Sequence, residues 1–189
     1  MDNVIGRIAA QAERVRIAAP FGVFAAFFLF VVSATPALGN SFSFYKDTNG
    51  DLLFGSFIAG TGGTVKINPT DNYRSVTSGG VILMNSNYHA ASFKLNCSTL
   101  SGTDPCTTSS VYSVTLPGSA TLTHSVDSTK TMSVESFSAY SLNGGSSGYL
   151  KGSVTLGSDT LNVGATLNVG ASQTPGSYSG SFSVTVTYQ

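Results

Sequence analysis

The 189-residue sequence has no tryptophan, two cysteines and two histidines, and only 10% of it is charged, with nine basic side chains against nine acidic ones. Each shortage excludes something. A neutral, sparsely charged chain has no basic field to attract nucleic acid and no acidic tail. Cys97 and Cys106, with no histidine beside either, make a poor metal site. Beyond residue 39 there is a single glutamate, Glu135, between Val134 and Ser136, so paired carboxylates for glycosidic cleavage have little to be built from. His89 and His124 sit in surroundings of Ser, Ala, Thr and Tyr, which form no catalytic pattern. The run "AGTGG" (59–63) connects strands and opens no helix that would cradle a phosphate. No catalysis and no cofactor is expected.

The start of the chain differs from the rest. Arg7, Arg14 and Arg16 precede the apolar run "FGVFAAFFLFVV" (21–32), and "SATPALG" then offers small side chains at Ala37 and Gly39. A basic start, a short apolar core and a small-residue exit read as a secretory signal peptide over residues 1–39. The competing reading is an uncleaved anchor, since 18–37 approaches the length of a membrane span. Pro20 and Pro36 favour cleavage. The mature domain is then 40–189, exported to the periplasm, the cell surface or a pilus, with membrane contact only through the signal peptide. Residues 40–189 carry six basic residues against seven acidic ones. In an exported protein Cys97 and Cys106 are expected to pair, and closing a loop of that size contributes about 2.7 kcal/mol in the chain-entropy account.

After residue 39 no stretch carries a helical apolar stripe of ten or more residues. Short alternating segments bounded by turn chemistry take its place. They include "SFSFY" (41–45), "LLFGSFIAG" (52–60), "TVKIN" (64–68), "GGVILMN" (79–85) and "AASFKLN" (90–96). "SVYSVTLPGSATLTH" (110–124) breaks at Pro117-Gly118 into two strands. "KTMSVESFS" (130–138) faces Met132, Val134 and Phe137 inward, and "YLKGSVTL" (149–156) resumes the sheet. "TLNVG" occurs twice, at 160–164 and 166–170. Two copies make no repeat architecture, and one bent strand or a hairpin arm with a glycine bulge accounts for them. Asp47, Asn49 and Asp51 alternate as calcium ligands do, but Leu52 and Ile58 break that pattern, and an Asn-Gly turn explains the same residues.

Some ten short strands at near-regular spacing predict an all-β fold, an immunoglobulin-like antiparallel β-sandwich, with a closed barrel as the alternative. The last of them, "GSYSGSFSVTVTYQ" (176–189), places Tyr178, Gly180, Phe182, Val184, Val186 and Tyr188 on one parity with only Ser or Thr between. Such a strand, left at an edge, invites pairing with another chain.

These segments, above all "VGATLNVGASQTPGSYSGSFSVTVTY", resemble a bacterial secreted family, domain of unknown function 4402, from about Leu52 to Gln189. More distantly, the chain resembles the subunits of chaperone–usher pili. Gly176 is the fourteenth residue from the end and Tyr188 the penultimate, as in the C-terminal hallmark of those pilins. The resemblance implies a pilin-like sandwich with an incomplete sheet, whose assembly strand would be Gly176, Tyr178, Gly180, Phe182, Val184, Val186 and Tyr188. It implies a periplasmic chaperone and an outer-membrane usher as partners, and self-association with neighbouring subunits by β-augmentation. Phe42 and Phe44 would be the donor side chains, although a donor extension ordinarily carries more alternating apolar residues than these two. They serve equally as the first strand of a self-complete domain. The rival function is a secreted or surface module that binds carbohydrate or another surface ligand, with Tyr73, Tyr88, Tyr140 and Tyr149 as the candidate aromatic platform. Clustering of those tyrosines would favour binding.

Overall fold

The structure, a computed structural model, describes residues 4–12, 16–17, 40–48, 50–99, 110–143, 151–154 and 158–188. Regular structure within them is all strand: β1 (Val4–Ala12), β2 (Arg16–Ile17), β3 (Asn40–Lys46), β4 (Leu52–Ile58), β5 (Gly63–Ile67), β6 (Arg74–Gly79), β7 (Ile82–Leu83), β8 (Ala91–Thr99), β9 (Ser110–Thr115), β10 (Ser119–His124), β11 (Thr131–Ser141), β12 (Lys151–Val154), β13 (Ser158–Val169) and β14 (Gly176–Tyr188). Neighbouring strands follow the path β3-β8-β13-β11-β10-β14-β1-β4-β7. The path curls so that β4 meets β13, β5 and β8 across the core, giving the curled antiparallel β-sandwich that the strand pattern predicts. Cys97 falls on β8; Cys106, and with it the expected disulfide, lies outside the described residues.

β13 is the spine. Both "TLNVG" copies lie in this one strand, which alternates Leu161, Val163, Ala165, Leu167 and Val169 inward. Its first half pairs with β8 and its second half with β5, while β11 runs along the other edge. In β11 the register shifts between Glu135 and Ser138, and Ser136 takes a left-handed φ of 54°. That bulge resets the parity, so Met132 and Val134 face inward at even positions and Phe137 packs on the core at an odd one. β9 and β10 are the two pieces of the segment broken at Pro117-Gly118, and they lie antiparallel to β14 one after the other. β6 was not legible as a strand because its sequence, "RSVTSG", is mostly polar and exposed; pairing with β5 defines it.

Two buried polar side chains tie the layers together. The Asp159 carboxylate, 3% exposed, accepts from the Tyr112 hydroxyl and the Ser141 hydroxyl, both at 2.5 Å on Oδ2, and from the Thr160 and Asn143 amides at 2.7 and 3.1 Å on Oδ1. It thereby joins β9, β11 and β13. Arg74 enters beneath β7: Nη1 donates to the Phe54 and Ser56 carbonyls at 2.8 and 3.3 Å, and Nη2 to the Met84 carbonyl at 2.6 Å. The Phe54 and Ser56 carbonyls lie beside the point where β4 shifts register against β1, and the guanidinium adds a donor to each. Burial pulls the Arg74 pKa down, and the nearby Tyr88 acts in the opposite direction.

Candidate functional site

The closing strand β14 has the two faces that its alternation predicts. Tyr178, Phe182, Val184 and Val186 are buried, while Ser177, Ser179, Ser181 and Ser183 are exposed. Phe182 packs against Phe137 with ring centroids 4.9 Å apart. A Cβ on Gly180 would stand 2.2 Å from the Thr121 carbonyl oxygen, so only glycine allows β10 to cross this close. The backbone of Tyr188 pairs with Tyr112 of β9 and with Ile17 of β2.

Gly176 begins the strand at a φ of +143°. The reason stands next to it: a Cβ there would lie 2.0 Å from His124 Nε2. His124 is fixed by backbone groups, with Nδ1 accepting from the Val126 and Asp127 amides at 3.2 and 3.0 Å and Nε2 facing the Pro175 carbonyl at 3.0 Å. Accepting at Nδ1 assigns the proton to Nε2, which donates to Pro175. The ring also meets Tyr178 edge-on at 4.9 Å, and the Tyr178 hydroxyl donates to the Thr174 carbonyl at 2.8 Å. Gly176→Ala is expected to displace the imidazole and cost about 2 kcal/mol. A urea melt with unchanged slope and a lower midpoint checks this; an unshifted midpoint would show that the site relaxes freely.

The two edges of β14 differ in origin. On one edge, β10 pairs at Ser179 and Tyr178 and β9 at 185–188, both antiparallel and both within the 110–124 segment. On the other edge lies β1, parallel to β14 over nine register pairs from Val4↔Gly176 to Ala12↔Val184. β1 is itself bordered by β4, antiparallel, from Val4↔Phe57 to Ile8↔Leu52. A segment from the far start of the chain therefore occupies the lane between the first long core strand and the last strand. Sequence reasoning assigned these residues to the basic start of a leader and missed the pairing.

Phe42 and Phe44, the donor candidates, are placed in β3, in register with Cys97 and Leu95 of β8. Phe44 is half-buried and stacks on Phe93 at 5.2 Å. β3 ends the strand path. Asp47 and Asp51 each face a lysine, Lys94 at 3.6 Å and Lys46 at 2.6 Å. Among the described residues no three His, Cys, Asp or Glu side chains converge on a metal-sized space. Of the tyrosines, Tyr88 has the Arg74 guanidinium 4.5 Å from its ring centre, and Tyr73 is exposed. Tyr88 lines a cleft of about 400 Å³ with Leu53, Asn87 and His89. Tyr140 sits apart, in register with Asn162 on β11 and β13, and Tyr149 lies outside the described residues.

The geometry defines an all-β sandwich domain whose closing strand is bordered by a strand remote from it in sequence. By its match over residues 45–188 the chain belongs to the family described as Domain of unknown function (DUF4402), which agrees with the resemblance read from Leu52 to Gln189. No curated protein matches the chain. Strands β4 to β14 fall within the matched residues, and β1 falls outside them.

Proposed function

We propose that this chain is an exported structural subunit of a pilus- or fimbria-like surface assembly, polymerising by β-strand addition and carrying no catalysis. One observation supports this most: the lane between β14 and β4 is filled by nine residues from outside the family domain. Should residues 1–39 leave as a signal peptide, β14 loses its partner from Gly176 to Val184 and β4 loses its own from Leu52 to Phe57. Two such edges around buried aromatic and aliphatic side chains are a docking site for a foreign strand, with main-chain bonds for affinity and alternate side chains for register. A periplasmic chaperone would fill the lane first, and an outer-membrane usher would exchange it for the extension of the next subunit. Localisation follows: periplasm in transit, then the cell surface or pilus.

The test is to express the full chain in a bacterial host and examine the envelope fraction. The expected result is a mature N-terminus within a few residues of Asn40 and a ladder of multimers that resists detergent and collapses on boiling. A monomer that retains Met1 would overturn the reading. The second reading, a self-complete module that binds carbohydrate, is favoured by Tyr88, which lines the Leu53–His89 cleft and carries the Arg74 guanidinium over its ring. Its support is local, since Tyr140 takes no part in that cluster.

A further inference from the structure

The chain that runs beside β4 is two residues longer than a regular ladder needs. Ile58 pairs with Ile82 and Phe57 with Leu83, yet Leu53 pairs with His89. Residues 84–88 therefore oppose only residues 54–56, and the surplus stands out as a wide bulge, a device that re-aims side chains. Both ends of the bulge are fastened. The Met84 amide donates to the Ser56 carbonyl at 3.0 Å, and the Ser56 amide donates to the Ser86 hydroxyl at 2.7 Å. Leu53 and His89 exchange two backbone bonds, at 2.9 and 3.0 Å. Gly55 leaves the space that the bulge uses: a Cβ there would lie 2.5 Å from Arg74 Nη1 and 2.8 Å from the Asn87 carbonyl oxygen. The Arg74 guanidinium is buried at this point, and among the described residues no carboxylate meets it. Burying a cation without a counter-ion costs stability. What it secures here is the shape of the bulge and the placement of Tyr88, whose ring it covers.

We infer that the cleft at this bulge binds the end of a neutral saccharide, with Tyr88 as the stacking surface and His89 Nε2 as a hydroxyl acceptor. The described residues that line it, Leu53, Asn87, Tyr88 and His89, include no charged side chain. An anionic sugar finds no free cation there, since Arg74 is engaged with the carbonyls of Phe54, Ser56 and Met84. His89 Nδ1 faces the Ala90 carbonyl at 3.1 Å. A carbonyl can only accept, so Nδ1 carries the proton and Nε2 keeps its lone pair for a ligand hydroxyl. Asn87 offers a donor and an acceptor together, and Tyr88 offers a hydroxyl and an aromatic surface for the C–H face of a pyranose. A volume of about 400 Å³ is near the lower end of ligand sites, ~300–1,000 Å³, and suits about one or two sugar rings. This rests on the ligand-binding reading and deepens it by naming the ligand class and the groups that select it. It is independent of strand addition.

The experiment uses the full chain in a mild detergent without a sugar headgroup, followed by saturation-transfer NMR. The probes are the methyl glycosides of glucose, galactose, mannose and N-acetylglucosamine, with N-acetylneuraminic acid as the anionic sugar. The expected result is saturable binding of at least one methyl glycoside and exclusion of the acid. Tyr88→Ala and His89→Phe should each weaken that binding about tenfold or more, the scale of losing a stacking surface or a hydrogen bond. His89→Gln keeps an acceptor oxygen and should stay within about threefold of the parent. The two His89 variants leave Tyr88 and its cation contact in place, so their comparison stands even where Tyr88→Ala fails to fold. Binding of a methyl glycoside that neither Tyr88→Ala nor His89→Phe weakens would overturn the inference and leave the ligand-binding reading standing, with its site elsewhere. Preference for N-acetylneuraminic acid would overturn the neutral class, and equal losses in His89→Phe and His89→Gln would overturn the acceptor. Exclusion of all the probes would remove both the inference and the reading it rests on.

Discussion

Asp159→Ala should lower stability by about 4 kcal/mol, far beyond the effect of an ordinary surface change. The carboxylate accepts from Tyr112, Ser141, Asn143 and Thr160, and the first two of these donors are themselves buried. Removing the acceptor takes four hydrogen bonds from one buried carboxylate at the junction of β9, β11 and β13, and bonds to a charged acceptor are each worth more than neutral ones. Asp159→Asn keeps the shape and one carbonyl oxygen, and because both hydroxyls can rotate to accept from the amide its cost should be about 1.5 kcal/mol. Urea unfolding of the two variants checks the pair: a small and equal loss for both would mean that the network contributes little.

The second large effect separates two adjacent residues of β14. Val184 is fully buried and Ser183 is exposed on the opposite face. Val184→Asp places a carboxylate in the apolar core with nothing to pair it and should cost about 4 kcal/mol or more, enough to abolish a folded, assembly-competent domain. Ser183→Lys should change stability by no more than about 0.5 kcal/mol. In the assembly reading Val184→Asp protein disappears from the detergent-resistant ladder while Ser183→Lys protein remains. If both variants assembled normally, β14 would not be the strand around which the subunit is built.

Much of this architecture was legible in local sequence. The faces of β14 follow from strict alternation over Tyr178–Val186, and the division of 110–124 follows from Pro117-Gly118. Asp159 carried a signal too, since it lies in phase with the inward residues Leu161 and Val163 and is the only acidic residue after Glu135. What stayed hidden depends on contacts distant in the chain. Nothing near Gly176 announces that His124 will stand 2.0 Å from where its side chain would be. Nothing around Arg74 announces that its guanidinium will reach the carbonyls of Phe54 and Ser56 in β4. The pairing of β1 is the extreme case: residues 4–12 read as the basic start of a leader, and a parallel neighbour across the whole domain leaves no periodic trace beside it. Phe42 and Phe44 show the complementary limit. Alternation identified a strand, but the choice between β8 of the same domain and the lane of another subunit is not encoded in the pattern of five residues.

The central claim is that the domain lacks a strand between β14 and β4 and is completed by addition of one. The most direct test compares residues 40–189 with the same chain carrying residues 2–14 after its C-terminus, joined by a flexible linker able to run back along β14, a strand of 13 residues and hence about 43 Å. Melting temperature and oligomer size are measured together. The account predicts that the plain chain associates or melts low, and that the appended strand yields a monomer melting about 10 °C or more higher. A plain chain that is already a stable monomer, and that the added strand leaves unchanged, would contradict it.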